Sequence, residues 1–317
     1  MANHLKVAVV CGGLSSEHEV SLKTARMVLQ NLDRRKYQPT RVVIGKNGKW
    51  KFESGKAIGI GNAIKKLARY DFIFIALHGA FGEDGRFQAI LEWIGVSYSG
   101  SGVLSSAMAM DKNVSNTLYE VAGLNVPRYI TMDKNRKNSI RLPVVVKPAD
   151  GGSSIGVSIV RSKKDLRAGL KKAFEESDRV MIQEYIKGRE FTCGVIEDKN
   201  GKPFALPPTE IIPKTSSFFD YHAKYKVGGS LEITPAQLPK SKIKTLQQMA
   251  LKAHILLGCN GMSRSDFILK GSKFFILETN TIPGMTETSL LPQAAQAAGI
   301  DFPSLLDLII KAGLRKK

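Results

Sequence analysis

Strand-like and helix-like segments alternate through the first 111 residues, and this alternation constrains the fold more than any other feature. The apolar run "LKVAVVC" (5–11) has the length of a buried strand and ends in Gly12-Gly13. A helix is expected next, from the capping box Ser16-x-x-Glu19 and the stripe Leu22, Ala25, Leu29, Leu32. Strands follow at 40–44 and 71–77, and helical patterns at about 57–69 and 86–94. Alternation of this kind predicts an α/β unit with a parallel sheet covered on both faces.

The pattern changes after "MDK" (110–112). "LPVVVKP", a Gly-Ser-rich stretch, "GVSIV", a helix near 163–177 and "RVMIQEYI" predict a small α+β unit. From about 188 the chain is strand-rich, with a weakly periodic segment at 207–238, a length usually functional or mobile. A helix near 240–257 and strands at 263–269 and 273–279 complete it. The chain has 317 residues, long enough for two or three domains. Its formal net charge of +19 raises the question of an anionic partner. The Lys and Arg residues are scattered singly or in pairs, however, and no nucleic-acid-binding signature is present, so no nucleic acid is expected. Three widely spaced cysteines fit a reducing cytoplasm, and no apolar run approaches the length of a membrane span.

The chemistry is concentrated in a few stretches. "FFILETN" (274–280) is an apolar strand that ends in acid and carboxamide. Simple alternation puts Phe274, Ile276, Glu278 and Asn280 on one face, where a carboxylate needs a partner. A hard cation such as Mg²⁺ fits, with Asp266 of the preceding strand as a third oxygen donor and Arg264 beside it. A two-residue Gly271-Ser272 turn would place Asp266 and Glu278 on opposite faces, whereas a three-residue loop would bring them together. The metal reading therefore predicts an odd-length loop; a surface ion pair between Glu278 and a lysine is the competing reading. "VVVKPADGGSSIGVS" (144–158) sets Lys147 before a glycine-rich loop able to approach phosphates, although an ordinary hairpin would read the same. Gln183, Glu184 and Glu190 occupy a hinge that could hold a purine and a ribose, or a solvated linker. Glu17 and His78 follow strands of the first sheet, where α/β folds bind ligands. No HExxH and no Ser/His/Asp ordering stands out.

Five stretches, "GGLSSEHEVSL", "LHGAFGEDG", "GSGVLSSAMAMDK", "VVVKPADGGSSIGVS" and "DFILKGSKFFILETNTIPGMTETSLLP", appear in one order. Together they resemble the D-alanine–D-alanine ligase family of the ATP-grasp superfamily, essentially from end to end. The resemblance implies a three-domain ATP-grasp fold: an N-terminal Rossmann-like parallel-sheet domain (1–111), a central small α+β domain (112–187) and a C-terminal domain (188–317). ATP would lie between the last two. One D-alanine carboxylate would be phosphorylated, and the amine of a second would attack the acyl phosphate, for peptidoglycan precursor synthesis.

The same resemblance assigns Lys112, Lys147, Ser154 and Lys224 to ATP, Gln183, Glu184, Tyr185 and Ile186 to the adenine hinge, and Glu190 to ribose. Asp266, Glu278 and Asn280 would bind two Mg²⁺ or Mn²⁺. Arg264 and the Gly284 N–H would stabilise the tetrahedral oxyanion. Glu17 would take the first ammonium with His78 nearby, and Ser289 and Leu290 the second carboxylate. In the long segment, Tyr225 would bond Ser153 and Glu17 and favour an amine over D-lactate. A cytoplasmic homodimer is implied as well. Gln183 departs from the glutamate of many members, and Gly151 from an acidic residue of some. The competing functions are a D-alanine–D-lactate or D-alanine–D-serine ligase and, from another class, a polyanion-binding protein on an inactive ATP-grasp scaffold.

Overall fold

The computed structural model describes residues 4–53, 55–132, 141–152, 155–214 and 229–316. Strands β1 (Leu5–Gly12), β2 (Tyr37–Ile44), β3 (Trp50–Phe52), β4 (Phe72–Ile75) and β5 (Ser97–Tyr98) form a sheet in the order β3-β2-β1-β4-β5. β1, β2, β4 and β5 pair parallel as expected, while β3 adds an antiparallel edge that the sequence pattern did not reveal. Val7, Ala8, Val9, Val10 and Cys11 are all fully buried, as a central strand covered on both faces requires. β2 and β4 flank β1, so the strand order reverses there and a crevice opens beyond the carboxyl ends of β1 and β4. Helices α1 (His18–Asn31), α2 (Ile60–Leu67) and α3 (Arg86–Trp93) belong to this unit.

Helix α1 departs from expectation twice. Its N-cap is Glu17 with no side-chain cap, so the Ser16–Glu19 capping box does not form. Ser15 instead donates to the His78 carbonyl at 2.7 Å and accepts from the Glu17 N–H at 3.3 Å, tying the helix start to the crevice. Its buried face carries Ser21, Thr24, Ala25 and Val28, whereas Leu22 and Leu29 are only partly covered. Hydrogen bonds cause the rotation: Ser21 donates to the Ala76 carbonyl and accepts from the Gly12 N–H, and Thr24 bonds His78.

A second sheet, antiparallel in the order β6-β9-β7-β8, is built from β6 (Tyr129–Met132), β7 (Val144–Pro148), β8 (Ser158–Val160) and β9 (Val180–Glu184). Helix α6 (Lys163–Phe174) covers it over a small core of Val144, Val146, Val160, Ala173, Val180 and Ile182.

The third sheet runs β13-β12-β10-β14-β15, with β11 (Pro203–Ala205) on β10. Its strands are β10 (Arg189–Glu197), β12 (Thr209–Pro213), β13 (Ser230–Ile233), β14 (Met262–Lys270) and β15 (Lys273–Asn280). β12 and β13 lie inside the weakly periodic segment 207–238 and pair antiparallel, with Glu210 opposite Ile233. That segment therefore contributes an inner strand at one end and the edge strand of the sheet at the other.

Helices α4 (Val103–Met110) and α5 (Lys112–Val121) join the first two units, and Asp111 caps α5 by accepting from the Asn113 and Val114 N–H groups. Tyr119 of α5 is fully buried against the core of the third sheet and donates to Thr279 at 2.7 Å. Although residue 112 opens the expected central unit, α5 thus packs under the C-terminal one. Helices α7 (Lys240–Leu256), α8 (Leu290–Ala297) and α9 (Phe302–Arg315) complete the chain. Among the described residues no helix is long and apolar enough to cross a membrane.

Candidate active site

The β14–β15 hairpin decides where the acidic groups meet. Lys270 faces Lys273, Leu269 faces Phe274, Ile268 faces Phe275 and Phe267 faces Ile276. The turn is therefore the two-residue Gly271-Ser272, and the expected odd-length loop is wrong. Parity is corrected further along, where the register shifts between Asp266 and Phe267 and Asp266 comes to face Glu278, leaving Leu277 as the extra residue of a β-bulge. The bulge also corrects the expected face. Phe274, Ile276 and Thr279 turn toward the core, while Glu278 and Asn280 turn the other way with their partners Asp266 and Arg264. The carboxylate is not buried beside Phe274 and Ile276 after all.

The Arg264 fork holds both Asp266 oxygens at 3.0 Å, and Thr192 donates to Oδ1 at 2.8 Å. Lys112 Nζ lies 3.8 Å from Glu278 Oε2. Asn280 Oδ1 accepts from the Ile282 N–H at 2.8 Å and, as a carboxamide oxygen, has a second lone pair. Among the described residues no three His, Cys, Asp or Glu side chains make a self-contained metal cage. Two carboxylates and one carboxamide fit instead a hard cation that shares its oxygen shell with phosphates.

Beside this hairpin, a cavity opens between the second and third sheets. Lys112, Lys147, Gln183, Glu184, Tyr185, Ile186, Glu190, Asp266 and Glu278 all line it, which brings together every described residue expected to contact nucleotide or, apart from Asn280, metal. Val145, Ile155 and Ile159 supply apolar surface from one side, and Ile211, Ile268 and Leu277 from the other. Glu190 lies between Ile211 and Ile268 in the strand register. The Gln183 Nε2 is buried without a hydrogen-bond partner. Lys112 Nζ donates to the Gly151 carbonyl at 2.5 Å, drawing the glycine loop toward α5.

A second pocket shares Lys112, Gly151, Gly152 and Glu278 with that cavity and reaches the crevice of the first sheet. There His78 contacts Glu83 through Nδ1 at 3.3 Å and Thr24 through Nε2 at 2.9 Å, so both ring nitrogens bond to protein. Burial opposes the imidazolium, but the bond to Glu83 and the charges of Glu83 and Glu17 outweigh it and move the His78 pKa upward. Burial raises the Glu83 pKa, and the neighbouring Glu17 charge adds to the rise. A Cβ on Gly152 would stand 3.2 Å from Glu17 Oε2 and 4.0 Å from Glu83 Oε2, so both carboxylates converge under the glycine loop.

At its other end the pocket meets the N-terminus of α8. A Cβ on Gly284 would stand 2.7 Å from the Ser289 hydroxyl, so a larger residue there would displace that hydroxyl, and Ser289 Oγ accepts from the Thr286 N–H at 2.9 Å. Arg264, Asn280, Gly284, Ser289 and Leu290 line this end. Sequence reasoning gave no role to Glu83 or Glu232, two further pocket acids, because neither lies on a periodic pattern. Ser153, Ser154, Lys224 and Tyr225 lie outside the described residues.

Residues 6–60 and 54–101 match the model of the D-ala D-ala ligase N-terminus, and residues 118–311 that of the D-ala D-ala ligase C-terminus. The chain belongs to the D-alanine–D-alanine ligase family. As a member it is an ATP-dependent ligase with the ATP-grasp fold. It is 43% identical to a D-alanine–D-alanine ligase of Desulfotalea psychrophila, over 99% of this chain and 97% of the relative. The crystal structure of the Bacillus anthracis family member complexed with ATP superposes with a TM-score of 0.83 at 36% identity, covering 99% of this chain and 98% of that one. A D-Ala:D-Ser ligase of Enterococcus faecalis superposes with a TM-score of 0.84 at 30% identity, covering 97% of this chain and 99% of that one.

Proposed function

We propose that the chain joins two D-alanines at the expense of ATP, through a D-alanyl phosphate, with the residues above in specific roles. The observation that carries this reading is the Asp266–Glu278 pair, brought together by its bulge in the cavity between the second and third sheets, with Glu278 also lining the pocket beside it, here read as the amino-acid pocket.

Gln183 to Ile186 hold adenine, Glu190 holds ribose, and Lys112 and Lys147 neutralise phosphate charge. Asp266, Glu278 and Asn280 hold the divalent cations, which when bound screen the negative charges of phosphate and carboxylate as they approach. Glu17 receives the ammonium of the first D-alanine, with Glu83 and His78 keeping the negative charge in place. The carboxylate oxygen of this D-alanine then attacks the γ-phosphorus, and ADP leaves. The second D-alanine, whose carboxylate rests on the Ser289–Leu290 end of α8, gives up a proton from its ammonium, attacks the acyl carbon as the free amine, and loses a second proton to the phosphate that departs. Arg264 and the Gly284 N–H face the oxyanion of that tetrahedral species. Lys224 and Ser154 are assigned to ATP, and Ser153 and Tyr225 to the reaction itself; all four lie outside the described residues. The chain works as three units near 1–111, 112–187 and 188–317, and as a homodimer in the cytoplasm, where ATP is supplied.

Incubation with Mg-ATP and D-alanine, with products identified by mass, tests this. Phosphate release with formation of D-alanyl-D-alanine is expected, and none with L-alanine. Dipeptide-free turnover, or a D-alanyl-D-serine product favoured over D-alanyl-D-alanine when both acceptors are present, would overturn it.

A further inference from the structure

The acids of the amino-acid pocket do not all have the same neighbours. Glu278 lies near Lys112, and Glu83 pairs with His78. Glu232, on the edge strand β13, is different. Its Oε2 accepts from Gln293 Nε2 at 2.9 Å and its Oε1 from Ser230 Oγ at 3.2 Å, both neutral donors. Among the described residues no lysine or arginine pairs with it, in a chain whose net charge is +19. It faces Ile211 in the strand register and lines the amino-acid pocket with Thr286, Thr288, Ser289 and Leu290. Gln293 lies in the first turn of α8, so Glu232 is fixed beside the helix terminus proposed to take the second carboxylate.

We infer that Glu232 is a specificity-determining residue, which recruits the second substrate through its ammonium and so favours an amino acid over a hydroxy acid. The inference rests on the reading under "Proposed function" and adds the basis of selection at the acceptor end. A zwitterion with its carboxylate on the α8 terminus brings a positive charge to this part of the pocket, and a carboxylate held only by neutral donors gains from its arrival. A 2-hydroxy acid brings no such charge. Gln293 and Ser230 orient the carboxylate without neutralising it, which leaves its attraction directed into the pocket.

The test is a competition between D-alanine and D-lactate as acceptors in the full-length enzyme, with D-alanyl-D-alanine and D-alanyl-D-lactate counted by mass. Two-site kinetics give separate KM values for the two D-alanines. Glu232→Gln, which keeps the shape and removes the charge, should raise the KM of the second D-alanine about tenfold and shift the product ratio toward D-lactate by a similar factor. The KM values of ATP and of the first D-alanine should not follow it. Glu232→Asp should recover part of the selectivity, and Gln293→Met, which loosens the contact but keeps the charge, should shift the ratio far less. An unchanged ratio in Glu232→Gln, or equal shifts in Glu232→Gln and Gln293→Met, would overturn the assignment while dipeptide synthesis itself stood. Absence of dipeptide from the unaltered enzyme would instead overturn the parent reading, and this one with it.

Discussion

The nucleotide cavity and the amino-acid pocket share a wall but combine apolar and charged groups in different proportions. The cavity combines branched aliphatic side chains from two facing sheets with Lys112, Lys147, Gln183, Glu190, Asp266 and Glu278. The pocket collects charged and hydroxyl side chains from distant parts of the chain, including Glu17, Glu83, Glu232, Arg264 and Ser289. The apolar walls of the first recognise a ligand by shape, which survives small changes in them. The second recognises it by charge inside a protein of low dielectric, where a single unpaired group is costly. Glu278 and Lys112 belong to both and should be the least tolerant positions of all.

The largest effect is therefore expected at the shared wall. Glu278→Gln should lower turnover about a thousandfold, with a melting temperature near that of the unaltered protein. Near-normal phosphate release would remove the metal assignment and with it the link between the clefts.

A test from the hidden side of the same sheet comes next. His254 on α7 contacts the Ser263 hydroxyl of β14 at 2.7 Å, and burial lowers its pKa to about 4. A histidine depressed in the fold binds its proton first in the unfolded chain, so its contribution is complete above the unfolded value and lost as pH falls toward 4. Between pH 7 and pH 5 this should lower the unfolding free energy by about 2 kcal/mol, a loss that His254→Gln should reduce in urea titrations. Equal acid sensitivity in the two proteins would show that other groups govern this range.

Within the clefts, Glu83→Gln should raise the KM of the first D-alanine about tenfold and leave nucleotide affinity alone. A matching loss of ATP binding would break the proposed separation of roles. The smallest change is expected for Ile268→Ala, which removes one apolar wall of the cavity and should weaken ATP binding about fivefold without altering either D-alanine KM. A larger effect there would mean that shape is less forgiving than proposed.

The same contrast explains what the sequence made legible. Buried strands such as β1, the β14–β15 hairpin and the Lys147 strand announce themselves through continuous apolar runs, and the cavity is assembled from their ends. The pocket was less readable. Glu83 and Glu232 are single acids without periodicity, and only tertiary structure brings them to the others. Two local rules also failed beside the chemistry. The Ser16–Glu19 capping box is absent where Ser15 ties Glu17 to the His78 backbone, and the two-residue turn is offset by a bulge at Leu277. In both places a tertiary demand, the placing of a carboxylate at the site, overrides the local preference. Short β3, of three residues, gave too little pattern to be seen.

The most direct measurement is Mn²⁺ binding in the presence of ADP, followed by electron paramagnetic resonance for the unaltered protein and for Glu278→Gln. If the bulge-registered Asp266–Glu278 pair holds a cation shared with phosphate, nucleotide should strengthen Mn²⁺ binding in the unaltered protein, and the substitution should weaken it at least about tenfold. Superimposable titrations of the two proteins would contradict the site.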